Sequence, residues 1–336
     1  MKFRSKIKEV LRSVLAKYGF DIIPSVFVYD WQSGDLAQEP RQVYLPEDAR
    51  ETLTPTNPVL LDLQKRYQNT NYPCYETLIW TEDRVKDEDI LYFRGHNAYV
   101  FQEGRFNRNL FGYLLAYYYT KSIDHLGLLD RLEEDGAFGA VTYEFDKKLV
   151  SRDLLDSILE IYFLEQNLAI MQQDQLSVLD IGAGYGRLAH RMAGALPNLK
   201  SYICTDAIAL SSFIADYYLG YREIKDKARV LHLDRIREEL PQGSIDLAVN
   251  IHCFSECKPL AIEWWLDLLA EKKVPYLMIV PNSHNKRLLT YDRQDFQPLV
   301  EKYGYRLIAH EPKYQDPVVQ RYALSPDHFH LYQHQP

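Results

Sequence analysis

The sequence predicts an α/β fold, a doubly wound and mostly parallel sheet of seven strands, preceded by a mainly helical N-terminal region. Three observations carry it. From residue 176 onward, short apolar runs alternate with amphipathic stretches at helical period. The runs lack polar alternation, so helices cover both faces of the sheet they build. The first run, "LSVLDIG", passes directly into a turn carrying Gly182, Gly184 and Gly186, and then into the helix "GRLAHRMAGAL".

The elements follow in order. Residues 1–20 place Phe3, Ile7, Val10, Leu11, Val14 and Leu15 at helical spacing, with Lys2, Arg4, Lys6, Lys8 and Arg12 elsewhere. They lack the continuous apolar core of a signal peptide. They predict a basic amphipathic helix docked on the protein itself, with peripheral membrane contact as the alternative. Four prolines in "QEPRQVYLPEDARETLTPTNP" argue against regular structure. "PVLLDLQKRYQ" reads as a short helix, "LYFRGHNAYVFQ" as a strand pair or loop, and "NLFGYLLAYYYTKSIDHLGLLDRLEEDG" as one or two helices. In "SRDLLDSILEIYFLEQNLAIMQQ", Ser151 is the N-cap and Asp153 the first-turn acid of a helix with Leu154, Leu155, Ile158 and Ile161 on its apolar side. The division falls here: residues 1–150 form the helical region, and residues 151–336 the sheet domain.

After "LSVLDIG" come the strands "KSYICTD", "ARVLHLD", "SIDLAVNIH" and "PYLMIVPN", separated by the helices "AIALSSFIADYYLG" and "PLAIEWWLDLLAEK". "DFQPLVEKYG" is a further helix and "YRLIAHE" a further strand. "DHFHLYQH" predicts an edge strand, with His328, His330 and His334 alternating along one face and holding no metal.

Composition sets the outer limits. The 336 residues suggest about two domains, and 46% hydrophobic content is enough for a sizeable core. A formal net charge of -8 disfavours a nucleic-acid partner. Four cysteines, Cys74, Cys204, Cys253 and Cys257, do not make a disulfide framework in a chain this long; a reducing, cytoplasmic setting is expected. No run approaches the ~20 apolar residues of a membrane span. Twenty-six tyrosines would serve equally for stacking on sugar faces and for core packing.

The glycine turn admits three ligands. A P-loop needs Lys-Ser or Lys-Thr after its glycines, and none follows here. A dinucleotide fingerprint needs Gly or Ala at the sixth position from Gly182, where this chain has Arg187. The third ligand, S-adenosylmethionine (SAM), carries a sulfonium and an ammonium and no phosphate, so its site needs close backbone approach and carboxylates. Asp180 precedes the glycines and would orient the loop and the ammonium end. Asp206 ends the second strand and would accept from both ribose hydroxyls. Asp234 ends the third and would face the adenine amino group. Asn250, near the end of the fourth strand, belongs with them. Each of Asp206 and Asp234 alone would also serve as a plain N-cap.

On these residues the chain resembles the class I SAM-dependent methyltransferases: "VLDIGAGYGR" is similar to that superfamily's first motif, and Asp206 to its second. A narrower resemblance runs from about 115 to 315. "LLDRLEEDGAFGA", "IADYYLG" and "NIHCFSECKPLAIEWWLDLL", with the glycine segment, resemble a bacterial family of sugar O-methyltransferases. The resemblance implies a Rossmann-like domain and transfer of a methyl group to a hydroxyl of a sugar or glycan-containing small molecule, in surface polysaccharide or glycolipid assembly.

A sugar hydroxyl holds its proton tightly, so a base or a metal must remove it. His252, in "NIHCFSEC" after the fourth strand, is the expected base, and Glu256 on the same face of a helical turn would orient it. Cys253 and Cys257 beside it make a weak zinc pattern. A magnesium ion on Asp234 and Glu256 is conceivable, but no motif demands a metal. Asn282 and His284 in "VPNSHNKR", and His96 with Asn97 and Arg94 in "FRGHNAY", are candidates for the acceptor site. Two other readings stand beside the methyltransferase: an NAD-dependent oxidoreductase, and a non-catalytic binding module on the same fold.

Overall fold

The computed structural model describes residues 10–23, 44–75, 78–80, 84–95, 110–282 and 287–335. Helix α1 (Pro58–Gln68) begins where Asn57 caps the amide of Val59 at 2.9 Å and Pro58 occupies the first turn. Helix α2 (Leu110–Ile123) follows, then a hairpin of β1 (Thr142–Phe145) and β2 (Lys148–Ser151). Ser151 caps helix α3 (Arg152–Leu168) by accepting from the amide of Leu154 at 3.1 Å, as its position in the sequence predicts. The alternating part runs β3 (Leu176–Ile181), α4 (Arg187–Ala195), β4 (Leu199–Thr205), α5 (Ala209–Tyr221), β5 (Ala228–Val230), β6 (Leu247–Ile251), α6 (Pro259–Glu271) and β7 (Tyr276–Val280). It closes with α7 (Gln297–Lys302), β8 (Tyr305–Pro312), α8 (Pro317–Tyr322) and β9 (His328–His334).

The seven-stranded sheet has the order β5-β4-β3-β6-β7-β9-β8. Strands β3 to β7 are parallel, and β9 runs antiparallel to both its neighbours. The period of two along each strand divides the core between the faces. Val178, Leu247, Val249 and Met278 join a cluster with α2, α3 and α4. Leu179, Ala248, Leu277 and Ile279 join a second with α1, α5 and α6. The chain leaves β5, at one edge, and re-enters the sheet at β6 on the other side of β3. The ends of β3 and β6 therefore meet at the switch in strand order, where ligands of open α/β sheets bind.

Two expectations need correction, and an alternative left open by composition is decided for the tyrosines of α2. Strand β9 is not an edge strand: it lies between β7 and β8, with His328 and His330 each only 4% exposed. The His330 ring stacks on His310 at a centroid distance of 4.2 Å, which lets a polar side chain sit inside the sheet. The hairpin β1–β2 falls where the sequence suggests no strands. Its turn residues Asp146 and Lys147 both take positive φ (49° and 64°) without the Asn-Gly pair that marks such turns. The tyrosines of α2, Tyr113, Tyr117, Tyr118 and Tyr119, are buried in the core, so this cluster packs and does not stack on a sugar. Residues 10–16 are helical and Arg12 pairs with Asp316 at 2.8 Å, while Val10, Leu11 and Val14 of its apolar stripe are exposed. Among the described residues no helix is long and apolar enough to cross a membrane.

Candidate active site

The glycine loop links β3 to α4. The amides of Gly182 and Ala183 donate to the Thr205 carbonyl at 2.9 and 3.2 Å, which ties the loop to the end of β4. All three glycines take positive φ, for three different reasons. A Cβ on Gly182 would lie 2.3 Å from Cys253 Cβ, so this glycine admits the turn after β6. A Cβ on Gly186 would touch Leu219 at 3.4 Å, so that glycine serves packing between α4 and α5. Among the described residues nothing lies within 4 Å of the Cβ position of Gly184, so of the three glycines it is the one whose side faces open space. Arg187 leans on α3 and makes a bidentate pair with Glu160 at 2.9 and 2.8 Å. That explains how a long side chain stands at the first turn of α4.

The acids divide by environment. Asp206 accepts from the amides of Gly184 at 3.1 Å and Ile208 at 2.8 Å. Burial pushes its carboxyl up to about 7 in spite of those two bonds. Asp180 points into the core and accepts from the Tyr202 hydroxyl at 2.8 Å; burial raises it to about 7 as well. Asp234 is gripped by Arg66 of α1 through two bonds of 2.9 and 2.8 Å. Next to it, the hydroxyl of Tyr67 accepts from the Leu233 amide at 3.0 Å and lies 2.9 Å from Ser212 Oγ. Asn250 is fully buried and ties the switch together: its amide donates to the Ile181 carbonyl at 3.0 Å and its carbonyl accepts from the Phe254 amide at 2.9 Å.

His252 caps a single helical turn, Cys253–Glu256, from a left-handed backbone position (φ 66°). Its amide donates to the Val280 carbonyl at 2.8 Å, which brings the turn across the end of β7. Glu256 is half-buried; desolvation raises its carboxyl, and it accepts from the indole of Trp80 at 2.7 Å. A different carboxylate, that of Asp327, stands 3.7 Å from His252 Nε2. Cys253 and Cys257 are free thiols with sulfurs 3.8 Å apart. Among the described residues, no group of three or more His, Cys, Asp or Glu side chains is placed to hold a metal ion.

The structure thus brings Gly182, Gly184, Gly186, Asp206, Asn250, His252 and Glu256 to one edge of the sheet. Asn282 lies exposed at that edge, its amide donating to Ser255 Oγ at 3.0 Å. His96, Asn97 and His284 lie outside the described residues. Arg94 does not face an acceptor: its guanidinium is fully buried and bonded to Glu134 at 2.7 Å, Asp153 at 3.3 Å and the Ala137 carbonyl at 3.3 Å. Sequence reasoning missed Trp80 and Asp327, which reach the site through long-range packing and carry no local motif.

The fold is the Rossmann-like one of class I methyltransferases, with its last strand inserted antiparallel beside the second-last. No protein-family model matches the chain. No curated protein matches it either. Solved structures similar in fold include the (4+2)-cyclase SpnF, at 12% identity over 58% of this chain and 87% of that one, with a TM-score of 0.41. Magnesium protoporphyrin IX methyltransferase from Synechocystis PCC 6803, solved with bound SAM, is 11% identical over 55% of this chain and 83% of its own, with a TM-score of 0.40. The mitomycin 7-O-methyltransferase MmcR is 18% identical over 55% of this chain and 57% of its own, with a TM-score of 0.38.

Proposed function

We propose that this protein is a SAM-dependent O-methyltransferase acting on a hydroxyl of a sugar or sugar-containing small molecule. The observation that carries the reading is the loop at the strand-order switch: Gly184 opens on free space while its amide fixes Asp206 beside it. The donor set fits SAM. Gly184 offers bare backbone for close approach, and each carboxylate oxygen of Asp206 keeps a lone pair beyond its backbone bond for a ribose hydroxyl. Among the described residues, no cationic side chain bonds Asp206, as the site of a cationic ligand requires. SAM would supply a methyl group on a positive sulfonium, whose transfer to an oxygen leaves a neutral thioether and a proton to be removed.

His252 takes that proton, from the acceptor hydroxyl, at a ring nitrogen. Asn250 and the Val280 carbonyl fix the turn that carries it. The acceptor side would be covered from the N-terminal region, residues 1–150. Trp80 reaching Glu256 and Arg66 reaching Asp234 support that assignment. The sugar acceptor rests on the resemblance carried by "HCFSE" and "WWLDLL".

Calorimetric titration with SAM, its demethylated product and NAD tests the reading. Micromolar binding of SAM or its product is expected, weakened at least about a hundredfold in Asp206→Ala, since two hydrogen bonds to a charged group are lost. A folded protein that binds NAD and neither sulfur compound is an oxidoreductase instead.

A further inference from the structure

We infer that Asp327 is the positioning residue of the base: it turns the His252 imidazole so that Nε2–H faces its carboxylate and Nδ1 is left to take the acceptor's proton. The inference rests on the reading of His252 as base and adds the residue that sets its tautomer. His252 Nε2 is a buried atom with no hydrogen-bond partner among the described residues, and it lies 3.7 Å from Asp327 Oδ1. That gap is wider than a hydrogen bond, and such contacts in ligand-free sites tighten when substrate is bound. The backbone of His252 is fixed on both sides, by its amide on the Val280 carbonyl at 2.8 Å and by the Ser255 amide on its own carbonyl at 3.0 Å.

Asp327 is held as firmly. It stands at the start of β9, and the antiparallel course of that strand brings its first residues to the edge where β6 ends. Its carbonyl accepts from the Lys313 amide at 3.0 Å, and Lys313 Nζ lies 3.7 Å from its Oδ2. Lys313 is almost fully buried and pairs with Asp156, which Arg152 grips at 3.1 Å. The line Arg152, Asp156, Lys313, Asp327 alternates in sign from α3 to the imidazole. Burial pushes the Asp327 carboxyl up, but the facing imidazole, Lys313 and Arg152 outweigh it and hold the carboxyl well below the usual range. Asp327 is thus a fixed anion, suited to stabilise the imidazolium that forms when Nδ1 takes a proton. Glu256, the other carboxylate near the ring, is engaged by Trp80 and has its own backbone carbonyl tied to the Leu78 amide at 2.9 Å.

The experiment is long-range proton–nitrogen NMR of the full chain with nitrogen-15 histidine, the His252 signals being assigned by their absence in His252→Gln. The expected result is the Nε2–H tautomer in the unmodified protein. In Asp327→Asn, the His252 Nε2–H proton should lose the downfield shift that a carboxylate acceptor gives it. Asp327→Glu should restore most of that shift, and Glu256→Gln should move the signal less than Asp327→Asn does. An Nδ1–H tautomer in the unmodified protein overturns the inference without any variant. So does an unchanged Nε2–H signal in a folded Asp327→Asn. The SAM titration of the unmodified protein is read separately: its failure sinks the cofactor reading and leaves the imidazole–carboxylate result standing.

Discussion

At the scale of single residues, Gly182 and Gly184 differ in what they tolerate. Both need a positive φ, which costs a residue with a Cβ about 1–2 kcal/mol. Gly182→Ala must also push its Cβ into Cys253 Cβ, which cannot swing away because it is bonded to the backbone. Overpacking of that kind adds about 1–3 kcal/mol. Gly182→Ala should therefore lower stability by roughly 3 kcal/mol, and Gly184→Ala by about 1 kcal/mol while still weakening SAM binding. Urea unfolding with parallel calorimetry reads both; equal stability losses would contradict the account of Gly182. All three glycines are legible in the sequence, but the partner that demands Gly182 is 71 positions away in the chain and is not. The raised carboxyls of Asp180 and Asp206 have a pH signature. Folded, each keeps its proton up to about 7; unfolded, each releases it near 4, so both drain stability as pH rises between those values. On the proposed role of Asp206, SAM binding runs the other way, because a ribose would need the ionised carboxylate as acceptor. Affinity should climb as pH rises to about 7, with proton release seen as a buffer-dependent binding heat that vanishes in Asp206→Asn. Flat affinity across that window would remove Asp206 from the contact.

At the scale of elements, capping and period were sufficient where the signal is local. Asn57 with Pro58 and Ser151 with Asp153 mark the starts of α1 and α3, and the apolar runs mark β3 to β7. Elements fixed by distant pairing stayed hidden. The position of β9 depends on β7 and β8 accepting it between them, and its histidines read as a solvent face until His310 is seen stacked on His330. Arg94 read as a polar loop residue for the same reason: its partners Glu134 and Asp153 lie 40 and 59 positions away. Glu134 is the hub of that contact, bonded to Arg94 and Arg191 at 2.7 Å each, with the Glu134 and Arg94 side chains at 0% exposure. Burial opposes its charge, but the two guanidiniums hold its carboxyl well below the ordinary range. Glu134→Gln takes the paired carboxylate from the buried Arg191 and leaves Arg94 with the longer contacts to Asp153 at 3.3 Å and Asp135 at 3.4 Å, and should cost about 3 kcal/mol. A loss under about 1 kcal/mol in denaturant unfolding would mean that water reaches the cluster.

At the scale of the whole molecule, Arg66 and Trp80 of the N-terminal region reach the sheet domain at the edge proposed for the cofactor. Arg66 on α1 grips Asp234 beyond β5, and Tyr67 beside it reaches Leu233 and Ser212. The sequence puts Asp234 at the end of the third strand; in the structure it lies in the 3-10 turn Leu233–Arg235, beyond the end of β5 at Val230, and its partner Arg66, 168 positions away, leaves no mark in the sequence. The bidentate pair leaves each oxygen of Asp234 one further lone pair, so a carboxylate aimed by Arg66 can still accept from an adenine amino group. Orientation and contact then act in series. The two side chains are 28% and 18% exposed, so solvent screens the pair and its stability value is about 1 kcal/mol. Arg66→Ala should lose that stability and weaken SAM binding severalfold by freeing Asp234 to turn. Asp234→Ala should weaken binding about tenfold, the size of one charge-assisted bond. In the double variant the Arg66 change should have no further effect on affinity, because there is no carboxylate left to aim. Affinity losses that simply add would show that Arg66 and Asp234 act independently, and would restrict the N-terminal region's hold on this edge to stability alone.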